Sequence, residues 1–161
     1  MHLKQCFLSL LACLGLAACP AGDSHEHADD EHHQHEPTGG IIPLKGTTAQ
    51  SDNYIVSVVS ASFDPAEEGM NDWVLRLEDH DRNLISNATI VAVPFMSVHN
   101  HGTNPASFTA TAAEEEGEYE LNDVNFIMPG PWEVTFTVTV DNGTDGGTMS
   151  EDAMMELTVI N

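Results

Sequence analysis

From about residue 53 onward, apolar and polar residues alternate with a period of two. In Trp132–Val140 the apolar residues fall at 132, 134, 136, 138 and 140, with Glu133 and three threonines between them. This pattern predicts a strand with one buried face. Trp73, Leu75 and Leu77 alternate in the same way with Val74, Arg76 and Glu78. Further strands are predicted over 54–61, 89–95, 107–112, 118–124 and 154–160. Turn signals separate them: Asp64-Pro65, Asp81-Arg82-Asn83, Asn104-Pro105, Glu116-Gly117, Pro129-Gly130-Pro131 and Asp141-Asn142-Gly143. No segment carries a long amphipathic helical period. About seven short strands in about 110 residues predict an all-β fold, an antiparallel β-sandwich of immunoglobulin-like type with one core. A small barrel is the alternative.

The chain before residue 53 has no such period. Lys4 followed by the apolar run Phe7–Ala18 and then Leu16-Ala17-Ala18-Cys19 reads as a lipoprotein leader over residues 1–18, with Cys19 as the acylated mature N-terminus. The run is too short for a spanning helix. Processing there would remove Cys6 and Cys13 and block Cys19, so disulfides, thiolate metal sites and cysteine nucleophiles are not expected. Residues 19–52 read as a tether. AGDSHEHADDEHHQHEPTGG contains nothing aliphatic or aromatic larger than Ala, and such a segment lacks the apolar surface to fold alone. About 30 residues of flexible coil would hold the domain, at residues 53–161, on the order of 30 Å from a membrane. The expected location is therefore the bacterial envelope, periplasmic or surface-exposed, with the membrane reached through the N-terminal lipid.

Charge narrows the classes of partner. With 26 acidic residues against 4 Lys and Arg, the formal net charge is −22 at pH 7, which excludes nucleic acid as a partner and favours cations. No nucleophile is paired with an identifiable base in a motif, so an enzyme is not expected. His80, within Glu78-Asp-His-Asp81, reads as a solvated turn residue.

Two stretches carry donors for a metal. In the tether, His25, His27, His32, His33 and His35 lie among carboxylates, and neutral imidazoles converging from a flexible chain would give a loose site for zinc, nickel or copper(II). In FMSVHNHG, residues 95–102, Met96, His99 and His101 crowd the end of a predicted strand. In extended geometry His99 and His101 project to one side and Met96 to the other, so joint ligation requires the chain to bend between Ser97 and Asn100. Pro94 and Gly102 favour a bend. Imidazole with thioether suits copper(I), because a thioether is a soft ligand with little affinity for zinc, magnesium or calcium. Met128, before the Pro-Gly-Pro turn, offers a second sulfur.

From residue 81 to 140, the order Asn83-Leu84-Ile85, Ala88, Val91, Phe95-Met96, His99-x-His101-Gly102, Pro105, Gly117-x-Tyr119 and Phe126-x-Met128-x-Gly130-x-Trp132 resembles the YtkA-like domain, which is related to the periplasmic part of FixH-like proteins. The resemblance implies a β-sandwich and an envelope protein, often a lipoprotein, linked to copper handling or cytochrome oxidase assembly. Carried onto this chain, it implies Met96, His99, His101 and Met128 as metal ligands and another envelope copper protein or oxidase assembly factor as partner. The expected function is a copper chaperone or buffer. A zinc or nickel trap acting through the tether, and a metal-free cell-surface interaction module, are the alternatives.

Overall fold

The computed structural model describes residues 42–141 and 147–161. The strands are β1 (Thr48–Gln50), β2 (Tyr54–Ala61), β3 (Gly69–Asp79), β4 (Ala88–Met96), β5 (His101–Gly102), β6 (Phe108–Thr109), β7 (Thr111–Ala112), β8 (Glu118–Phe126), β9 (Gly130–Asp141) and β10 (Thr148–Val159). Among the described residues there is no helix. The fold is the all-β, immunoglobulin-like sandwich that the period of two predicts.

Alternation fixes which face each strand buries. Trp132, Val134, Phe136, Val138 and Val140 of β9 are all buried, and Trp73, Leu75 and Leu77 of β3 face the same core. Hydrogen bonding follows the order β5–β4–β9–β10–β1–β2–β3–β8–β7, with every strand pair antiparallel and β6 also on β4. The two ends of this path meet in one segment. Phe108 and Thr109 pair with Ala92 and Val91 of β4, while Thr111 and Ala112 pair with Glu120 and Tyr119 of β8. Between them Ala110 is buried and donates its N–H to Ile90 O (2.9 Å). Crossing from one layer to the other leaves few open strand edges, the feature that otherwise invites aggregation.

The seven predicted strands are present, with their bounds changed where pairing rather than burial decides. The segment 107–112 divides into β6 and β7. Strand β10 begins at Thr148, not Met154, because residues 148–151 pair with residues 138–141 of β9 although their side chains are mostly exposed. The start of the folded unit also moves. Leu44 is buried, its N–H donates to Asp64 Oδ1, and β1 pairs with both β2 and β10. The folded unit therefore takes in Leu44–Asp52, which the sequence pattern assigns to the tether; a three-residue strand with Ala49 as its one buried residue is too short to show a period.

Two side chains tie the loops to this frame. Tyr119 Oη donates to Ile85 O (2.8 Å) and accepts from Ala88 N–H (3.1 Å), pinning the entry to β4 onto β8. Gly117, with φ of 70°, is needed beside it, since a Cβ there would lie 2.8 Å from Leu84 Cβ. Asn71, fully buried, accepts from Glu67 N–H and donates to the carbonyls of Glu67 and Gly69, which shapes the approach to β3.

Candidate metal centre

Strand β4 ends at Met96 and β5 begins at His101, so Ser97–Asn100 form a four-residue turn. His99 N–H donates to Met96 O (3.2 Å) and Asn100 N–H to Ser97 O (3.3 Å). Asn100 takes the left-handed conformation, φ 55°, which asparagine tolerates better than most residues. The required bend therefore exists, with the positive φ at Asn100. Gly102 serves a different purpose. It pairs with Phe95, and a Cβ on it would lie 3.1 Å from Pro94 O. The bend makes Met96 and His101 direct cross-strand partners, so their side chains share one face.

Burial then separates the donors. Met96 is fully buried, with its Cε 3.3 Å from the point a Cβ on Gly130 would occupy. His101 is half-buried and His99 exposed. The second piece of the site arrives from the Phe126–Trp132 turn. Met128 packs half-buried against the core, and its carbonyl accepts from Trp132 Nε1–H (3.0 Å). Its Sδ lies 3.3 Å from His101 Nε2. The His99 ring stacks beside His101, centroids 6.0 Å apart, and Trp132 meets His101 edge-on at 5.6 Å.

Imidazole chemistry makes the contact informative. Nδ1 of His101 lies 3.2 Å from Gly102 O. A neutral imidazole has one N–H, and the carbonyl is a far better acceptor than a thioether. With the proton on Nδ1, toward the better acceptor, Nε2 would present its lone pair beside the Met128 sulfur. Metal-binding histidines are commonly fixed in this way, with the second ring nitrogen donating to a carbonyl. The donor set of His101 and Met128, with His99 alongside, suits a soft monovalent ion. Among the described residues no three His, Cys, Asp or Glu side chains converge.

Of the four ligands that the sequence suggests, the fold brings His99, His101 and Met128 together and sets Met96 beneath them on the core side. His80 is an exposed turn residue, Nε2 3.1 Å from Ser51 O, at the opposite end of the sandwich. The tether histidines His25, His27, His32, His33 and His35, and Cys19, lie outside the described residues. Trp132, which reads from the sequence only as core, is also part of the site. Its signal is the Met-x-Gly-x-Trp spacing, which lets the indole reach back four residues to the Met128 carbonyl.

The same stretches fall inside a family match. Residues 48–137, from the first residue of β1 into β9, match the model of the YtkA-like family. The chain belongs to the YtkA-like family. The match begins four residues after the buried Leu44 and covers the hairpin, the Met128 turn and Trp132. No curated protein matches the YtkA-like chain at a significant level.

Proposed function

We propose that this YtkA-like domain binds copper(I) through His101 Nε2 and Met128 Sδ, with His99 as a further imidazole, and that it serves as an envelope-anchored copper chaperone or buffer. One observation carries the reading: an imidazole nitrogen 3.3 Å from a thioether sulfur, with the other ring nitrogen beside a backbone carbonyl. The Leu16-Ala17-Ala18-Cys19 sequence supports anchoring by lipid.

The chain's own residues do the positioning. Gly102 O favours the tautomer of His101 with its proton on Nδ1, and Trp132 holds the Met128 backbone, so the two donors, one on β5 and one on the turn before β9, need little rearrangement. Copper(I) supplies the softness that selects thioether over water. His99, exposed on the turn, can approach or leave a bound ion without disturbing the core, which suits exchange with another envelope copper protein or oxidase assembly factor.

Copper(I) competition on four proteins tests the proposal. Met128→Leu and His99→Ala/His101→Ala should weaken copper(I) by tenfold or more, while Met96→Leu, a nearly volume-conserving change in the core, should bind as the wild type. Equal affinity in all four, or no binding, would return the hairpin to a structural role and favour the metal-free module.

A further inference from the structure

Large apolar side chains stand in solvent around the hairpin. Val98 is 70% exposed, Ile42 64%, Met70 60%, Ile127 48% and Phe95 37%. Their positions in the chain bring them to one end of the sandwich. Val98 precedes His99, Ile127 precedes Met128, and Phe95 pairs with Gly102. Ile42 lines a cleft of about 300 Å³ with Ser97 and Trp132. Met70 pairs with Asn125, two residues before Ile127. Exposed apolar side chains that gather at one end in this way mark contact surfaces.

The border of this group is acidic. Glu133 is the cross-strand partner of Phe95, Glu156 is the partner of Glu133, and Glu68 is exposed beside Gly69. The described cations lie elsewhere: Arg76 is paired with Glu118, Arg82 with Glu78, and Lys45 lines a separate cleft with Gly46 and Val58. A second copy would set acid against acid, and so would an anionic lipid surface. The complementary occupant has an apolar centre and a basic border.

We propose that this end is the docking face for a basic protein partner, centred on Val98 and Ile127, which exchanges copper(I) with the His101–Met128 pair. The cargo rests on the copper reading above; the face itself does not. Docking there would place the partner's donors against His99 and Met128, and opposite charges at the border would speed encounter more than they tighten the complex.

The test uses the full chain carrying Cys19→Ser and two synthetic peptides sharing a Met-Leu-Ser-Met core, one flanked by lysines and the other by glutamates. Amide shifts are followed without metal. The lysine peptide should perturb Phe95–His101 and Ile127–Met128. It should bind Val98→Ser/Ile127→Ser at least tenfold more weakly, with copper(I) affinity and melting of that variant unchanged because both side chains are exposed. The glutamate peptide should leave the same signals still. Equal binding of both peptides, shifts mapping elsewhere, or undiminished binding by the double variant would overturn the proposal. Self-association in sedimentation, or binding to neutral phosphatidylcholine vesicles, that the double variant abolishes would also overturn it, assigning the face to a second copy or to lipid. Failure of the copper reading is read separately, as a wild type that takes up the peptide but no copper(I); the exchange part of the proposal then falls.

Discussion

The two tryptophans allow the support of the site to be measured against an internal control. Trp132 and Trp73 are equally buried, each 1% exposed, and both rings pack on Phe126. They differ in one bond: Trp132 Nε1–H donates to Met128 O, whereas Trp73 Nε1 is buried without a hydrogen-bond partner. Trp132→Phe should cost about 1 kcal/mol for the bond and about 1 kcal/mol more for the void left by the smaller ring. For a domain of this size about 2 kcal/mol corresponds to a drop of roughly 10 °C in melting temperature. Trp73→Phe leaves a comparable void but removes an N–H whose burial already costs about 1 kcal/mol or more, so its net effect should lie near zero. On the proposed reading, copper(I) affinity should separate them further, because only Trp132 holds the Met128 backbone. Thermal melts and copper(I) competition on both variants read the two effects. Equal destabilisation by the two substitutions, or copper(I) affinity unchanged in Trp132→Phe, would refute the assignment of Trp132 as a positioning residue.

Tyr119→Phe removes the hydroxyl that joins Ile85 and Ala88 and should cost about 2 kcal/mol in urea unfolding. Burial raises the Tyr119 pKa above its ordinary value, so the native state favours the neutral phenol. The gap between wild type and variant should be full below pH 10 and shrink as pH rises through the raised value. Glu151 behaves in the opposite sense. Its side-chain hydrogen bond from Asn53 leads the causes that lower its pKa, so the stability that Glu151→Gln removes should be present above the ordinary carboxylate range and vanish as pH falls through the lowered value, as melting temperatures at a series of pH values would show. A chain beginning at Ile42 should melt like the full chain, whereas one beginning at Thr47 loses the buried Leu44 and should be less stable by about 2–4 kcal/mol, measured by denaturant unfolding.

The strands were legible where one face is buried over several residues, as in β9, because burial and alternation are then the same fact. They were not legible where hydrogen bonding alone extends or creates a strand. Thr148–Glu151 continues β10 with its side chains mostly exposed, β1 offers only Ala49 to the core, and β5 is two residues long. Asn71 was invisible for another reason: its bonds run to backbone groups, which no side-chain pattern records.

The site shows the same division. Its donor types were legible in Met96, His99, His101 and Met128, but the contact between His101 and Met128 spans 27 residues and depends on register. Ile90 pairs with Val138, Ala92 with Phe136 and Pro94 with Val134, and the next buried residues in this series are Met96 and Trp132. A slip of one residue would turn all of these side chains outward. On the proposed copper(I) reading, Met96 would serve the site from the core rather than as a ligand. Its burial beside Gly130 helps to lock the register that sets the hairpin against the Met128 turn, and the cross-strand pairing of Met96 with His101 fixes the face on which the imidazole stands. A core methionine and a proposed ligand look alike in sequence here: Met96 ends β4 and Met128 lies in the turn before β9, and only the register of β4 on β9, with the burial it sets, distinguishes the methionine in the core from the one beside His101.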